Sequence, residues 1–482
     1  MTTVHRGHIF HITGNPGVQG ATDHLAHFSD GALAVDDSGI ITFCGDWADL
    51  PQDFASATVV DHHDAFLLPG FIDTHMHYPQ VWLGDSYGGG QLLEWLNNCI
   101  FPGESRFADP DFAQRAAIEW CDRMIKAGTT NGLVFGSAFS HAQDFLFEEA
   151  NKRGLRIVSG HGIQTTGPAS AKPLMVSETE AIDMTRNEIE KWHPLDAAER
   201  RNALAFVAVV PRFSLSVTPT TLAGLGELYS EYRDRGVYFT SHLNENARPG
   251  DGEIATVKKE YGVNTYLDTY DGHFLPGSKK GGESLLGRRS VMAHAVHCQD
   301  VELARMAETH TSISHCPVSQ WFLGSGTMPW KRTTNSGVTV AIGSDWGAGD
   351  EWFVPQILNA CYKQHISERS PVGIDTPIAD TEAVALHPAE LLFTGTLAGA
   401  QALDLESRTG NLDVGKEADF VVLDPTEWNM MNATLRNRTI LEDPIKDRDA
   451  LLFQLLMLAR EKALVATYVR GRKLELSPSQ MP

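Results

Sequence analysis

Thiol chemistry is scarce in this chain. Its six cysteines, at 44, 99, 121, 298, 316 and 361, are scattered among 482 residues, and none forms a Cys-x-x-Cys pair. That spacing excludes a disulfide framework and a thiolate zinc finger. Positive charge is also short, with 39 Lys and Arg against 61 Asp and Glu, a formal net charge of −22. Such a surface repels nucleic acid and anionic lipid, so a small, neutral or weakly charged ligand fits better than a polyanion. No apolar run approaches the length that spans a bilayer. The opening Met1-Thr2-Thr3-Val4-His5-Arg6-Gly7-His8 lacks the charged head and long apolar stretch of a signal peptide. The expected address is a reducing cytoplasm. With 42% apolar and 21% charged residues, the chain has the composition of an ordinary globular protein of two or three domains.

What the chain does have is a change of rhythm. Up to about residue 65, short apolar runs alternate with turn residues, as in Gly31–Val35, Asp36–Gly39 and Ile40–Gly45. This texture predicts short antiparallel strands. It returns near the other end in Ala418–Asp424 and Leu464–Gly471, so a small β-sandwich domain assembled from both termini is expected. Between them, apolar runs alternate with helical spacing, the pattern of βα units on a parallel sheet. Eight strands are expected: Phe66–Ile72, Thr129–Phe135, Leu155–Ser159, Leu204–Val210, Val237–Thr240, Ser290–Ala293, Thr311–Ser314 and Val338–Ile342. Helices are expected after the capping signal Ser177-Glu178-Thr179-Glu180, over Pro219–Arg235 and over Val301–His310. The fold class is therefore α/β, a TIM-type (β/α)₈ barrel over 66–404, flanked by β-domain parts at 1–65 and 405–482. Such barrels gather reactive groups at the carboxyl ends of their strands.

Polar residues fall at those ends. Asp73-Thr74-His75-Met76-His77 follows the first apolar run, and residues two apart on a strand share a face. With 20 histidines, chance alone supplies about one His-x-His pair, so the pair acquires weight only from its company. His242 follows the fifth strand, His294 the sixth and Asp345 the eighth. Any one of them alone reads as a core or turn residue. Together, histidines and a carboxylate at one rim form the donor set of a hydrolytic metal site with a position left for water. Glu245, three residues beyond His242, is placed for proton transfer beside the ion. Cys298 and Cys316 lie close to the expected mouth and read as small core residues.

These residues and their surroundings resemble the amidohydrolase superfamily, and within it the guanine deaminase family. The resemblance rests on Pro69-Gly70-Phe71-Ile72-Asp73-Thr74-His75-Met76-His77, Tyr78-Pro79-Gln80, Leu92–Leu96, Phe101–Phe107 and Pro211-Arg212-Phe213-Ser214. It extends to His242-Leu243-Asn244-Glu245-Asn246, Met292-Ala293-His294, Ile313–Pro317 and the stretch Gly410–Asp419. It implies a zinc-dependent aminohydrolase that converts guanine to xanthine and ammonia, working as a homodimer on a small purine. It further implies one Zn²⁺, with Fe²⁺ also compatible, held by His75, His77, His242 and Asp345. Asp345, His294 and Glu245 are then catalytic, and Gln80, Arg212 and Phe213 bind the base. Two-metal relatives carry a modified lysine in the fourth strand; Leu204–Val210 has none, which favours one ion. Three departures leave the exact heterocycle open: Trp346 where Val is usual, Gln320-Trp321 where Asn-Leu is usual, and the segment 161–170. The alternatives are a deaminase or chlorohydrolase of 8-oxoguanine, a pterin or a triazine. A non-catalytic scaffold of the same fold is the alternative of another class.

Overall fold

The computed structural model describes residues 2–17, 22–248, 250, 252–272, 283–368 and 384–478. Among the described residues, no helix is long and apolar enough to cross a membrane. None of the six cysteines forms a disulfide, and Cys298 and Cys316 are buried as expected. The chain separates into two compact units. One comprises Met1–Asp73, Asp122–Asn131 and Glu351–Pro482; the other comprises Thr74–Cys121 and Gly132–Asp350.

Four strands open the chain: β1 (Thr3–Ile12), β2 (Leu25–Val35), β3 (Ile41–Asp46) and β4 (Thr58–Pro69). The next eight form a second sheet. They are β5 (Phe71–His77), β6 (Thr129–Phe135), β7 (Arg156–Gly160), β8 (Ala205–Val209), β9 (Tyr238–Leu243), β10 (Ser290–His294), β11 (Ser312–His315) and β12 (Val340–Ile342). The last three, β13 (Phe420–Leu423), β14 (Leu464–Val469) and β15 (Arg472–Lys473), return to the first sheet. Its order is β15-β14-β13-β4-β1-β2-β3, so both ends of the chain do build one small β domain. One pairing departs from the antiparallel expectation: β1 runs parallel to β4, which pairs on the side of β1 opposite β2 and β3. Alternate residues of this sheet, including Ile9, Leu33, Leu67, Phe420 and Val422, make its apolar core.

The eight-stranded sheet runs in sequence order from β5 to β12. Nearly every residue of its strands is buried, as expected for parallel strands covered on both faces. Its ends meet through Thr74, whose hydroxyl donates to the Ile342 carbonyl at 2.8 Å, and through Asp345 N, which donates to the His75 carbonyl at 2.8 Å. The result is the expected (β/α)₈ barrel. Helices pack between the strands with local signals in place. Ser177 Oγ accepts from Glu180 N ahead of Glu178–Trp192, and Thr218 caps Pro219–Tyr232. Asp300–Thr309 carries a reciprocal cap formed by Gln299 and Glu302.

The first strand differs from the expectation. The apolar run Phe66–Ile72 is split between two sheets, with Phe66–Pro69 ending β4 and Phe71 starting β5. Pro69 has no amide hydrogen to continue a ladder. Gly70 is pressed so close to Thr130 that an added Cβ would lie 2.3 Å from its hydroxyl oxygen. His75 and His77 therefore lie within β5, at its carboxyl end, instead of beyond it.

Candidate metal centre and base pocket

Each expected polar residue sits at the carboxyl end of a barrel strand. His75 and His77 share one face of β5, His242 is next to last in β9, and His294 ends β10. Asp345 follows β12 by three residues. His75 Nε2 and His77 Nε2 lie 3.1 and 3.2 Å from the same Asp345 oxygen, Oδ1. His242 Nε2 lies 3.2 Å from His77 Nε2. Four donors about 2.0–2.1 Å from a shared ion leave separations of about 3.3 Å between themselves, so this donor set fits one divalent ion.

The protonation states fit as well. His242 Nδ1 lies 2.6 Å from the Arg212 carbonyl oxygen, so this nitrogen carries the hydrogen and Nε2 keeps its lone pair. Burial, with His75 and His77 as neighbours, pushes the His242 imidazolium well below its ordinary pKa, and burial lowers His77 too. Both are thus held neutral, as ligands must be. Burial alone would raise Asp345, but His75 and His294, with hydrogen bonds from His75 and His77, hold its carboxyl well below the usual range.

A second cluster overlaps the first. His294 Nε2 lies 3.8 Å from Asp345 Oδ2 and 3.5 Å from Glu245 Oε2. The two oxygens of Asp345 are therefore divided, one toward the imidazole trio and one toward His294. Burial drives the His294 pKa down to about 3. Burial, with Asp345 and Glu253 as negative neighbours, pushes Glu245 well above the usual carboxylate range, toward its protonated form. The backbone around these groups is strained: Asn244, His294, Ala295 and Asp345 all have φ between 49° and 71°. Non-glycine residues seldom adopt this region, and such strain gathers at functional sites.

Above the clusters lies a pocket lined by Gln80, Arg212, Phe213, Glu245 and Asp345 together with Leu92, Trp95, Leu96 and Leu323. The apolar members belong to one buried cluster with Phe101 and Ala348. A model of the amidohydrolase family matches residues 66–472.

The chain belongs to the amidohydrolase family.

Two relatives of this amidohydrolase span nearly its whole length. A probable guanine deaminase of Deinococcus radiodurans is 38% identical, with 90% of this chain and 91% of that protein aligned. The guanine deaminase of Escherichia coli is 32% identical over 93% and 92%. The solved structure of the E. coli enzyme superposes with a TM-score of 0.82 and 29% identity, over 99% of this chain and 100% of that one.

All nine residues singled out in the amidohydrolase from sequence are thus brought together: the four candidate ligands, Glu245 and His294, and Gln80, Arg212 and Phe213. Two that sequence reasoning passed over belong with them. Glu253 lines the pocket and accepts from the Glu245 and Asn246 amides at 3.1 and 3.0 Å, while Tyr266 donates to its other oxygen at 2.8 Å. Glu104 bonds to both Gln80 and Arg212. The departures also find places. The Trp346 indole N–H donates to the Gln80 and Val81 carbonyls at 3.1 and 3.3 Å, tying the turn after Asp345 to the turn that carries Gln80. Gln320 is buried against His315, whereas Trp321 is exposed. Gln164, Thr166 and Gly167 line a separate groove that shares Leu96, Phe101 and Phe213 with the base pocket's apolar surroundings.

Proposed function

We propose that this chain catalyses the hydrolytic deamination of guanine to xanthine and ammonia. The observation that carries the reading is one pocket in which Glu245 and three of the four candidate ligands, His77, His242 and Asp345, meet a donor pair, Arg212 and Gln80, suited to a purine's oxygen-bearing edge. Similarity to guanine deaminases over most of the chain supports it.

In this reading His75, His77, His242 and Asp345 hold one Zn²⁺, with Fe²⁺ as the alternative. When bound, such an ion lowers the pKa of a coordinated water from about 15.7 toward about 7. Asp345 takes a proton from the attacking water, and His294 orients it. Glu245, kept protonated by its burial, gives its proton to the ring nitrogen next to the attacked amidine carbon, making that carbon electrophilic. Oxygen adds to the carbon. Asp345 then passes its proton to the amino group, the carbon–nitrogen bond breaks, and ammonia leaves. Glu245 recovers a proton as the new carbonyl forms. Arg212 and Gln80 hold the oxygen-bearing edge of the base, and Phe213 packs on its face.

The same reading takes the chain as a cytoplasmic homodimer acting on a small purine. It sets the domain limits at 65 and 404. Purified protein given guanine, 8-oxoguanine, a pterin and a triazine should release ammonia fastest from guanine, with xanthine as product. Faster release from any other member of the panel would reassign the substrate.

A further inference from the structure

Glu104 ends the helical turn Phe101–Glu104 and is buried. Its two oxygens serve different partners. Oε1 accepts from Gln80 Nε2 at 2.8 Å, and Oε2 accepts from Arg212 Nη1 at 2.6 Å. A carboxylate has no hydrogen to give, so whatever faces it must present N–H. The Gln80 amide is thereby fixed with its nitrogen toward Glu104. Its oxygen is turned onto Gly347, where φ is +119° and an added Cβ would lie 1.8 Å from Oε1. Only glycine accommodates that approach. One amide hydrogen of Gln80 remains, and the guanidinium keeps the N–H groups that Glu104 does not take. The ion pair also offsets the Arg212 charge, which suits a neutral base.

We propose that Glu104 is the positioning residue that makes this site choose a ring carbonyl over a ring amino group. By demanding a hydrogen from Gln80, it commits that amide to act as a donor toward the base, and it anchors beside it Arg212, whose guanidinium can only donate. A carbonyl oxygen accepts from both. An exocyclic amino group in its place meets donors with donors and leaves buried groups unpaired, the arrangement that gives strong rejection of an analogue. The inference rests on the guanine reading and adds the origin of its selectivity.

The test compares guanine with 2,6-diaminopurine, which carries an amino group in place of the carbonyl oxygen and an acceptor in place of the adjacent ring N–H. The wild-type, metal-loaded protein should prefer guanine by about 10³-fold or more in kcat/KM. In Glu104→Gln the new carboxamide can face Gln80 with its own N–H, releasing the Gln80 amide to turn over. Preference for guanine should then fall at least about tenfold, through a rise in KM larger than any fall in kcat, with the metal content per chain retained. Gln80→Met removes the donor that Glu104 aligns and should reproduce the loss, which keeps the test open if the first variant does not fold. A folded, metal-loaded Glu104→Gln or Gln80→Met that keeps the wild-type preference overturns the inference alone. A wild-type protein without preference also overturns it. Failure of the metal-loaded wild type to deaminate guanine at all overturns the functional reading and the inference with it.

Discussion

His242 Nδ1 lies 2.6 Å from the carbonyl oxygen of Arg212. One residue thus serves two parts of the site, because the Arg212 backbone orients a candidate ligand while its side chain enters the base pocket. Side-chain replacement separates the two. Arg212→Leu keeps the carbonyl, so metal content should stay at the wild-type level. Loss of a charged hydrogen-bond donor should raise KM for guanine about 10- to 100-fold. Metal analysis alongside steady-state kinetics reads both, and an unchanged KM would remove Arg212 from base recognition.

Glu245 is buried 3.5 Å from His294, and its carboxyl is pushed well above the usual range. Glu245→Gln keeps the shape and removes the transferable proton. Turnover should fall by about 10²- to 10⁴-fold while metal content is retained. Full activity in this variant would mean that another group moves the proton.

His193 gives a pH test of stability away from the site. Its Nδ1 accepts the Val207 amide at 3.1 Å, which requires a neutral ring, and burial lowers its pKa to about 4. In the unfolded chain the group returns to 6.5, so between pH 6.5 and 4 the unfolded state binds more protons. The stabilisation is therefore fully present above pH 6.5 and is lost as pH falls toward 4, by up to about 3 kcal/mol. Thermal unfolding of His193→Gln should show a shallower loss across that interval than the wild type. Equal slopes would show that another group governs the acid limb.

Much of the architecture was legible because parallel strands covered on both faces are written as short apolar runs. Seven of the eight expected barrel strands fall within a few residues of their observed ends. The eighth, Phe66–Ile72, misled because one unbroken apolar run serves two sheets, and only Pro69-Gly70 marks the division. The two helices Asn429–Arg436 and Pro444–Leu458 were not foreseen within the C-terminal part of the β domain. The second has buried leucines, Leu451, Leu452, Leu455 and Leu456, at helical spacing, a signal that the strand texture on either side obscured. The ligand set was legible because strand ends of a barrel converge by construction. Glu104 and Glu253 were not, since their roles depend on which loops meet, and no periodicity encodes a contact between Glu104 and Arg212.

Guanine turnover should depend on one divalent ion held by three imidazoles and Asp345. Metal analysis of the purified chain, coupled to ammonia release from guanine before and after chelation, decides whether it does. The expected result is one ion per chain, loss of turnover as the ion is removed, and recovery when one equivalent of zinc is returned. Undiminished guanine turnover by metal-free protein would contradict it.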